Sequence, residues 1–150
     1  MSAPGEPFEI TVPVRKDEID ELGHVNNVHY LRWVQDAAVA HWRALAPAEE
    51  QQRVLWVVLR HEIDYRHAAR LGDGIIAKTW VGGSTRITFE RLTEIRRAAD
   101  GQVLARARTL WCPIDARTRK PVQVSSRIRE LFSSGGSLPE KIPTPEQGES

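Results

Sequence analysis

Hydrophobic and polar residues alternate along much of this chain, and that pattern predicts strands with one buried face. The first such stretch runs from Phe8 to Val14. Pro13 carries no backbone N–H, so we expect this strand to lie at a sheet edge or to end near that residue. From Asn27 the period changes, and apolar residues recur every three or four positions up to Pro47. This predicts a helix that is buried along one side and ends at the proline.

After the helix, the pattern is typical of an antiparallel sheet. The predicted strands are Val54 to Arg66, Ile75 to Val81, Arg86 to Arg97 and Gln102 to Ile114. The first begins with an uninterrupted apolar run, which predicts a strand that is central in the sheet at its start. Gly82-Gly-Ser84 predicts a break between the second and third strands, and Asp100-Gly101 predicts a hairpin turn between the last two. In the third strand Arg91 shares a face with apolar residues, so its pattern is imperfect.

A short helix through Phe132 is predicted near the end of the sequence, with Ser125 or Ser126 as its cap. Beyond it the composition turns to Ser, Gly, Pro, Glu and Lys, which cannot bury enough apolar surface to fold independently. A chain of 150 residues fits one domain. We therefore expect a single domain over residues 1–132 and a flexible tail over residues 133–150.

The predicted order is one strand, one long helix and four strands that can pair as a meander. This order indicates an α+β fold in which the helix covers one face of an antiparallel sheet. One helix is a thin cover for five long strands. We therefore expect the chain to associate with another copy through an exposed edge or face of the sheet.

The charges nearly cancel, because 21 basic and 20 acidic residues give a net charge of +1. This balance does not favour nucleic acid or an anionic membrane as a partner. No apolar run reaches the ~18 residues of a membrane span and no signal pattern is present, so we expect a cytoplasmic protein. The single cysteine, Cys112, rules out a disulfide framework, and the histidines lack the spacing of metal ligands. We expect neither a metal nor a cofactor.

The stretch Asp20-Glu-Leu-Gly-His-Val-Asn-Asn-Val-His-Tyr30 directly precedes the long helix. Asn26 or Asn27 is a good N-cap candidate there. The unpaired N–H groups of a helix start can hold a carbonyl oxygen that becomes an anion during a reaction. Asp20 would then be a carboxylate at the mouth of the helix, able to attack as a nucleophile or to activate water as a general base.

Two neighbours of this acid have expected roles in shaping the loop. Gly23 would permit a tight turn and a close approach of the substrate. His24 would anchor the loop or lie near the substrate. Serine-hydrolase and nucleotide-hydrolase chemistry is excluded, because the sequence has no Gly-x-Ser-x-Gly elbow, no P-loop and no dinucleotide fingerprint.

The pattern Asp-x-x-Gly-His-Val-Asn-Asn-x-x-Tyr, placed between a first strand and a long helix, resembles that of the hotdog-fold acyl-CoA thioesterases of the hydroxybenzoyl-CoA thioesterase type. The resemblance covers roughly residues 8 to 132 and includes Ile63-Asp-Tyr65, Ala69 to Asp73 and Trp80 to Arg91. It implies a five-stranded antiparallel sheet wrapped around one long central helix. It also implies a homodimer or homotetramer, in which two chains join their sheets and each active site lies at the subunit interface.

By the same resemblance, the chain is an acyl-CoA thioester hydrolase whose substrate is a coenzyme A thioester. Asp20 corresponds to the catalytic carboxylate, and the backbone N–H of Asn27 would polarise the thioester carbonyl. The remaining residues of the implied site are Gly23, His24 and Asn26 in the catalytic loop, and Tyr30, Ser84, Thr85 and Arg86 as substrate contacts. The chain departs from the family at Gln35, where many members carry an acid, and at Glu18, which takes the first position of an Asp-x-Asp. The acyl preference stays open.

Two other functions remain open at this point. An acyl carrier protein could present the acyl group in place of coenzyme A, with Arg96-Arg97 and Arg117 to Lys120 as a basic landing surface. A non-catalytic acyl-CoA-binding protein could also be built on the same fold, since a fold does not establish activity. A hydratase is disfavoured, because no suitable spacing of acid and histidine is present.

Overall fold

The computed structural model describes residues 6–133. The predicted tail beyond residue 133 and the first five residues lie outside this range. The elements are β1 (Phe8–Pro13), a 3₁₀ turn (Lys16–Glu18), α1 (Val28–Leu45), α2 (Ala48–Arg53), β2 (Val54–Tyr65), β3 (Gly74–Ser84), β4 (Phe89–Arg97), β5 (Val103–Asp115) and α3 (Ser126–Phe132). Within the described range, no helix is long and apolar enough to cross a membrane.

The five strands form one antiparallel sheet in the order β1-β3-β4-β5-β2. The predicted meander is confirmed for β3, β4 and β5 but is wrong for β2, which pairs with β5 and not with β3. The prediction that β2 is central is also wrong, because it is an edge strand of the chain. Its apolar run alternates between the two faces, so Leu55, Val57 and Leu59 are exposed. The prediction that β1 lies at an edge and ends near Pro13 is confirmed.

The break predicted at Gly82-Gly-Ser84 is wrong, because β3 continues to Ser84 with a register irregularity after Val81. The glycines serve a packing need in the sheet. A Cβ at Gly82 would collide with the carboxylate of Glu90, and the Gly83 N–H donates to that carboxylate at 3.0 Å. The turn lies further along, where the Thr85 N–H donates to the Thr88 carbonyl at 2.8 Å.

The long helix α1 packs across β1, β3 and β4. Its buried face includes Trp33, Val34 and Ala37, which belong to one core cluster with Ile75 and Ile95 of the sheet. Over the inner face of β2 the cover is incomplete, and the inward residues between Trp56 and Ile63 stay half-buried. The expectation that one helix only partly covers the sheet is confirmed.

The helix ends follow the local sequence. Pro47 ends α1 as predicted and also precedes α2, a short helix that the hydrophobic pattern did not predict. Glu49 and Glu50 in the first turn of α2 are the available signal, since acidic residues favour a helix start. The predicted cap of α3 is confirmed at Ser125, whose Oγ accepts the Ile128 N–H at 3.3 Å.

Candidate functional site

The loop that carries Asp20 is a tight hairpin between β1 and α1. Ile19 and Val25 form an isolated antiparallel bridge. Between them the Asp20 N–H donates to the His24 carbonyl at 2.8 Å, and the Gly23 N–H donates to the Asp20 carbonyl at 3.0 Å. Gly23 has a φ of 82°, which residues with a Cβ rarely adopt, so a glycine suits this turn as expected.

The carboxylate of Asp20 is half-buried and only partly engaged. Its Oδ1 accepts the Leu22 N–H at 2.9 Å, which fixes the side chain against its own turn. Its Oδ2 receives no hydrogen bond from residues 6–133. One oxygen is therefore held, and the other is available to a water molecule or a substrate.

The start of α1 leaves one backbone donor free beside this loop. The capping side chain is that of Asn26, whose Oδ1 accepts the Val28 N–H at 3.0 Å, whereas the side chain of Asn27 makes no cap hydrogen bond. Asn27 already has a helical backbone, with φ −56° and ψ −26°. Its N–H has no acceptor in the described part of the chain. This is the position at which a helix offers an unpaired N–H to a ligand.

These residues share one cleft of about 400 Å³. Its lining consists of Asp20, Leu22, His24, Val25, Asn26, Asn27, Tyr30, Tyr65, Arg66, His67 and Ala68. The structure thus brings together five of the residues that the motif predicted, and Gly23 shapes the loop without lining the cleft. The far wall, residues 65–68, contains none of the predicted site residues, although Tyr65 belongs to the family resemblance. In the sequence, only Tyr65, near the end of a predicted strand, indicated that this segment could belong to a site.

Tyr30 positions the far wall of the cleft. Its side chain is buried, and its hydroxyl accepts the Ala69 N–H at 2.9 Å and lies 3.5 Å from the His67 carbonyl. Burial raises the pKa of Tyr30, so the hydroxyl stays protonated near neutral pH. Tyr65 stacks edge-on against Tyr30 and its hydroxyl lies 3.4 Å from the Asn27 carbonyl. A direct contact of Tyr30 with substrate stays a prediction.

Behind the loop lies a buried acid, Glu18, which is only 4% exposed. Its Oε1 accepts the Arg15 N–H at 2.8 Å, and its Oε2 is 4.0 Å from Nδ1 of His29. The Glu18 carbonyl also accepts the Asn26 N–H at 2.9 Å. The residue therefore connects the 3₁₀ turn to the start of α1, directly behind the cleft.

The predicted contacts Ser84, Thr85 and Arg86 do not line the cleft of their own chain. Ser84 ends β3, and Thr85 and Arg86 follow it. The opposite end of β3 adjoins the segment between β1 and the Asp20 loop, because the Val14 N–H donates to the Asp73 carbonyl at 3.0 Å. With 11 residues in β3, at about 3.3 Å per residue, the two ends are roughly 33 Å apart. Arg129 of α3 holds this far turn, donating to Ser84 Oγ at 3.1 Å and to the Arg86 carbonyl at 2.9 Å.

A second cavity, of about 330 Å³, opens beside the C-terminal half of α1. We call it the apolar cavity; its lining is Ala38, Val39, Trp42, Arg43, Gln51, Val54, Leu55, Trp56, Val81, Phe89, Arg91, Trp111, Ile128 and Phe132. The two pockets adjoin opposite ends of β2: Tyr65 lines the cleft, whereas Val54 and Trp56 line the apolar cavity. They are separate in a single chain.

The cysteine and the arginine pair that the sequence singled out line neither pocket. Residues 6–133 contain no group of His, Cys, Asp and Glu side chains that could hold a metal ion. Cys112 is buried. Arg96 and Arg97, considered as part of a basic landing surface, are both engaged: Arg96 bonds Glu94 at 2.8 Å, and Arg97 bonds Asp100 at 2.9 Å.

Comparisons with known proteins agree with this geometry. A family model described as the thioesterase-like superfamily matches residues 14–132. The long-chain acyl-CoA thioesterase FadM of Escherichia coli (strain K12) is 28% identical over 131 residues, which cover 82% of this chain and 95% of that protein. The chloroplastic acyl-[acyl-carrier-protein] hydrolase FATB3 of Cuphea viscosissima is 27% identical over 137 residues, or 84% of this chain. This chain spans only 33% of the length of that plant protein.

A solved structure supports the same relationship. A thioesterase from Thermus thermophilus, solved in complex with coenzyme A and Zn, superposes with a TM-score of 0.74 at 26% identity. The superposition covers 85% of this chain and 98% of that one. The family match includes the Asp20 loop, α1 and all strands except β1. The chain belongs to the thioesterase-like superfamily, and it is a thioesterase with the hotdog fold.

Proposed function

We propose that this thioesterase hydrolyses acyl-CoA thioesters in the Asp20 cleft. The observation that carries the proposal is the meeting of a half-free carboxylate, on Asp20, with a free helix-start N–H, on Asn27, in one cleft. The relative named as a long-chain acyl-CoA thioesterase supports coenzyme A as the carrier. The thioesterase solved with coenzyme A supports it too.

Hydrolysis of a thioester requires few catalytic groups beyond these two. A thiol leaves with a pKa of about 8.5, so a strong general acid is dispensable. The carbonyl oxygen would accept the Asn27 N–H, which together with the helix dipole stabilises the developing oxyanion. Oδ2 of Asp20 would take a proton from the attacking water as the C–O bond forms and the C–S bond breaks, and the proton then passes to the thiolate. Direct attack by Asp20, giving an anhydride that water cleaves, is the other route.

The remaining loop residues would position these groups. Gly23 permits the turn, and Asn26 caps the helix and orients the free N–H of Asn27. His24 contributes its carbonyl to the hairpin, and its half-buried side chain lines the cleft beside the substrate.

We further propose that the site is completed in a homodimer, alone or within a homotetramer. β2 is an edge strand with exposed apolar residues, and such an edge favours pairing with another strand. Two copies related by a two-fold axis normal to the sheet would pair their β2 strands antiparallel. Tyr65 of one chain would then approach Val54 of the partner subunit. The cleft of each chain would thereby meet the apolar cavity of the other, which would receive the acyl tail.

This arrangement also gives a role to the distant turn. Ser84, Thr85 and Arg86 adjoin β4 near Phe89, a residue of the apolar cavity. In the dimer this turn would lie toward the partner's catalytic loop, where it could contact the pantetheine or phosphates of coenzyme A.

Acyl carrier protein is the second candidate for the carrier. The plant relative is named as a hydrolase of acyl-[acyl-carrier-protein], and Arg117, Arg119 and Lys120 are exposed on one turn of this chain. Basic residues of this kind suit an acidic carrier.

The test is thiol release by the purified protein from a panel of aliphatic and aromatic acyl groups, each presented on coenzyme A and on acyl carrier protein. We expect turnover of the coenzyme A thioesters with the higher kcat/KM. A reversed order would transfer the proposal to the carrier protein. Binding of acyl-CoA without thiol release would overturn hydrolysis and leave a binding protein.

A further inference from the structure

Arg91 is a buried cation whose charge is unbalanced by any acid of the described chain. It lies on the inner face of β4, is only 8% exposed and lines the apolar cavity. Nη1 of Arg91 donates to His41 Nδ1 at 2.9 Å and to Thr79 Oγ1 at 3.2 Å. Its Nε and Nη2 make no hydrogen bond within residues 6–133, and no carboxylate of that range lies within ion-pair distance. Its neighbour Glu90 faces the opposite side of the sheet, where it pairs with Arg108.

The groups around Arg91 cannot supply a counter-charge. His41 accepts from Arg91 through Nδ1, so it is neutral. Burial, with the adjacent charge of Arg91, lowers the pKa of His41 to about 3. Burial lowers the pKa of Arg91 to about 10, so the guanidinium stays charged at neutral pH. A buried charge without a partner is costly, and an anion that completes the pair removes much of that cost.

The cavity wall leaves the anion to be supplied by a ligand. Apart from Arg91 and the tryptophan indoles, the only polar side chains of the lining are Arg43 and Gln51, and none of these groups is acidic. The rest of the wall is aliphatic or aromatic, which suits a chain of methylene groups. Nε and Nη2 of a guanidinium lie side by side and match the two oxygens of a carboxylate.

We propose that the apolar cavity selects acyl chains that end in a carboxylate, and that Arg91 binds this terminal group. The inference rests on the proposed function, because the thioester end of the same substrate occupies the Asp20 cleft of the adjoining chain. At about 30 Å³ per small group, a cavity of about 330 Å³ holds roughly ten non-hydrogen atoms beyond the thioester. The substrate class is therefore the monothioester of a medium-chain dicarboxylic acid.

The direct test compares decanoyl-CoA, its ω-hydroxy counterpart and the mono-CoA thioester of decanedioic acid as substrates of the wild-type protein. A charge-assisted bidentate contact predicts at least a roughly tenfold higher kcat/KM for the ω-carboxyl substrate than for decanoyl-CoA. The ω-hydroxy substrate should fall between them. Equal values, or a preference for the methyl terminus, would overturn the proposal and leave acyl-CoA hydrolysis standing.

The variant Arg91→Met tests whether the preference acts through this residue. It should lose the ω-carboxyl preference and keep or improve turnover of decanoyl-CoA, whereas a merely structural role would lower both equally. Arg106→Met on the outer face of β5, which removes an equal charge, should keep the preference of the wild type. If Arg91→Met does not fold, the wild-type comparison decides alone. If no thioester is hydrolysed, the proposed function fails, and the affinities of the same three compounds, read by tryptophan fluorescence, decide this proposal instead.

Discussion

Glu18 is a single buried side chain that supports the loop of the proposed catalytic acid, Asp20, without a contact to that acid. Its carboxylate and carbonyl hold the 3₁₀ turn to Asn26, and Asn26 in turn caps α1. The Asp20 loop therefore depends on a residue that the family pattern assigns to a different acid. The sequence identified Glu18 as a departure, but its burial and its partners depend on the fold.

We expect Glu18→Ala to lower the free energy of unfolding by about 1–3 kcal/mol, because it removes a buried acceptor and its hydrogen bond. Urea unfolding followed by tryptophan fluorescence measures this loss. Glu21→Ala is the control, since Glu21 is an exposed acid of the same loop. An equal effect of the two substitutions would show that Glu18 has no supporting role.

His41 makes the free energy of unfolding depend on pH. Its pKa is about 3 in the folded chain, against 6.5 for an ordinary histidine, because it is buried beside Arg91. The unfolded chain therefore binds a proton at His41 below pH 6.5, which the folded chain does not bind until about pH 3. The contribution is complete above pH 6.5 and is lost as the pH falls through this window, at up to about 1.4 kcal/mol per pH unit.

We expect the free energy of unfolding of the wild type to fall between pH 6.5 and pH 5 by about 2 kcal/mol more than that of His41→Gln. Urea unfolding of both proteins at the two pH values provides the comparison. The difference isolates His41 from other groups, including His61, whose pKa burial also lowers. Parallel pH profiles would contradict the neutral, buried state of His41.

At the scale of elements, α1 and β3 separate the two parts of the proposed site, which are the Asp20 cleft and the apolar cavity with the turn at Ser84. The sequence predicted α1, the alternating strands and the cap of α3, because these depend on local periodicity and turn chemistry. It did not predict that β2 pairs with β5, since strand pairing depends on contacts that local pattern does not encode. The segment 66–73 connects β2, at one edge of the sheet, to β3 near the other edge. The N–H groups of Arg66 and His67 in this segment donate to the Leu104 carbonyl at 2.8 and 3.2 Å.

The β3–β4 turn is the element to which we assign coenzyme A contacts. We expect Arg86→Ala to raise the KM for acyl-CoA by roughly fivefold, as for loss of an exposed charge contact. Its kcat, and its KM for an acyl-pantetheine without phosphates, should not change. Steady-state kinetics with both substrates measures this split, and Lys120→Ala is the exposed control. A matching rise in KM for acyl-pantetheine would point to a distorted turn instead of a phosphate contact.

At the scale of the whole molecule, each chain has an unpaired sheet edge at β2, and our proposal is that pairing there completes the site. Leu59 lies at a bulge of β2, has no partner in β5 and is 57% exposed. A proline is tolerated at such a position by the strand itself but hinders pairing with a further strand. The sequence predicted association, because one helix cannot cover five strands. It could not identify the edge, because it misplaced β2.

We expect Leu59→Pro to convert a dimer into monomers and to abolish thiol release, while cooperative melting persists. Light scattering during size-exclusion chromatography gives the mass, and the thiol assay gives the activity. Leu71→Pro is the matched control: Leu71 is also 57% exposed and precedes Gly72 with its φ of 93°, a turn position that accepts proline. A fully active monomer would contradict a site shared between chains.

The central claim is that the carboxylate of Asp20 reacts or activates water in the cleft, and one substitution tests it most directly. Asp20→Asn keeps the shape of the side chain and its Oδ1 acceptor but removes the charge. Asp17→Asn makes the same change at an exposed acid, 76% accessible, in the preceding turn. We predict that kcat/KM for thiol release from the best acyl-CoA falls by about a hundredfold or more in Asp20→Asn, with mass and melting unchanged, and stays at the wild-type level in Asp17→Asn. Equal activity of the two variants would contradict the claim.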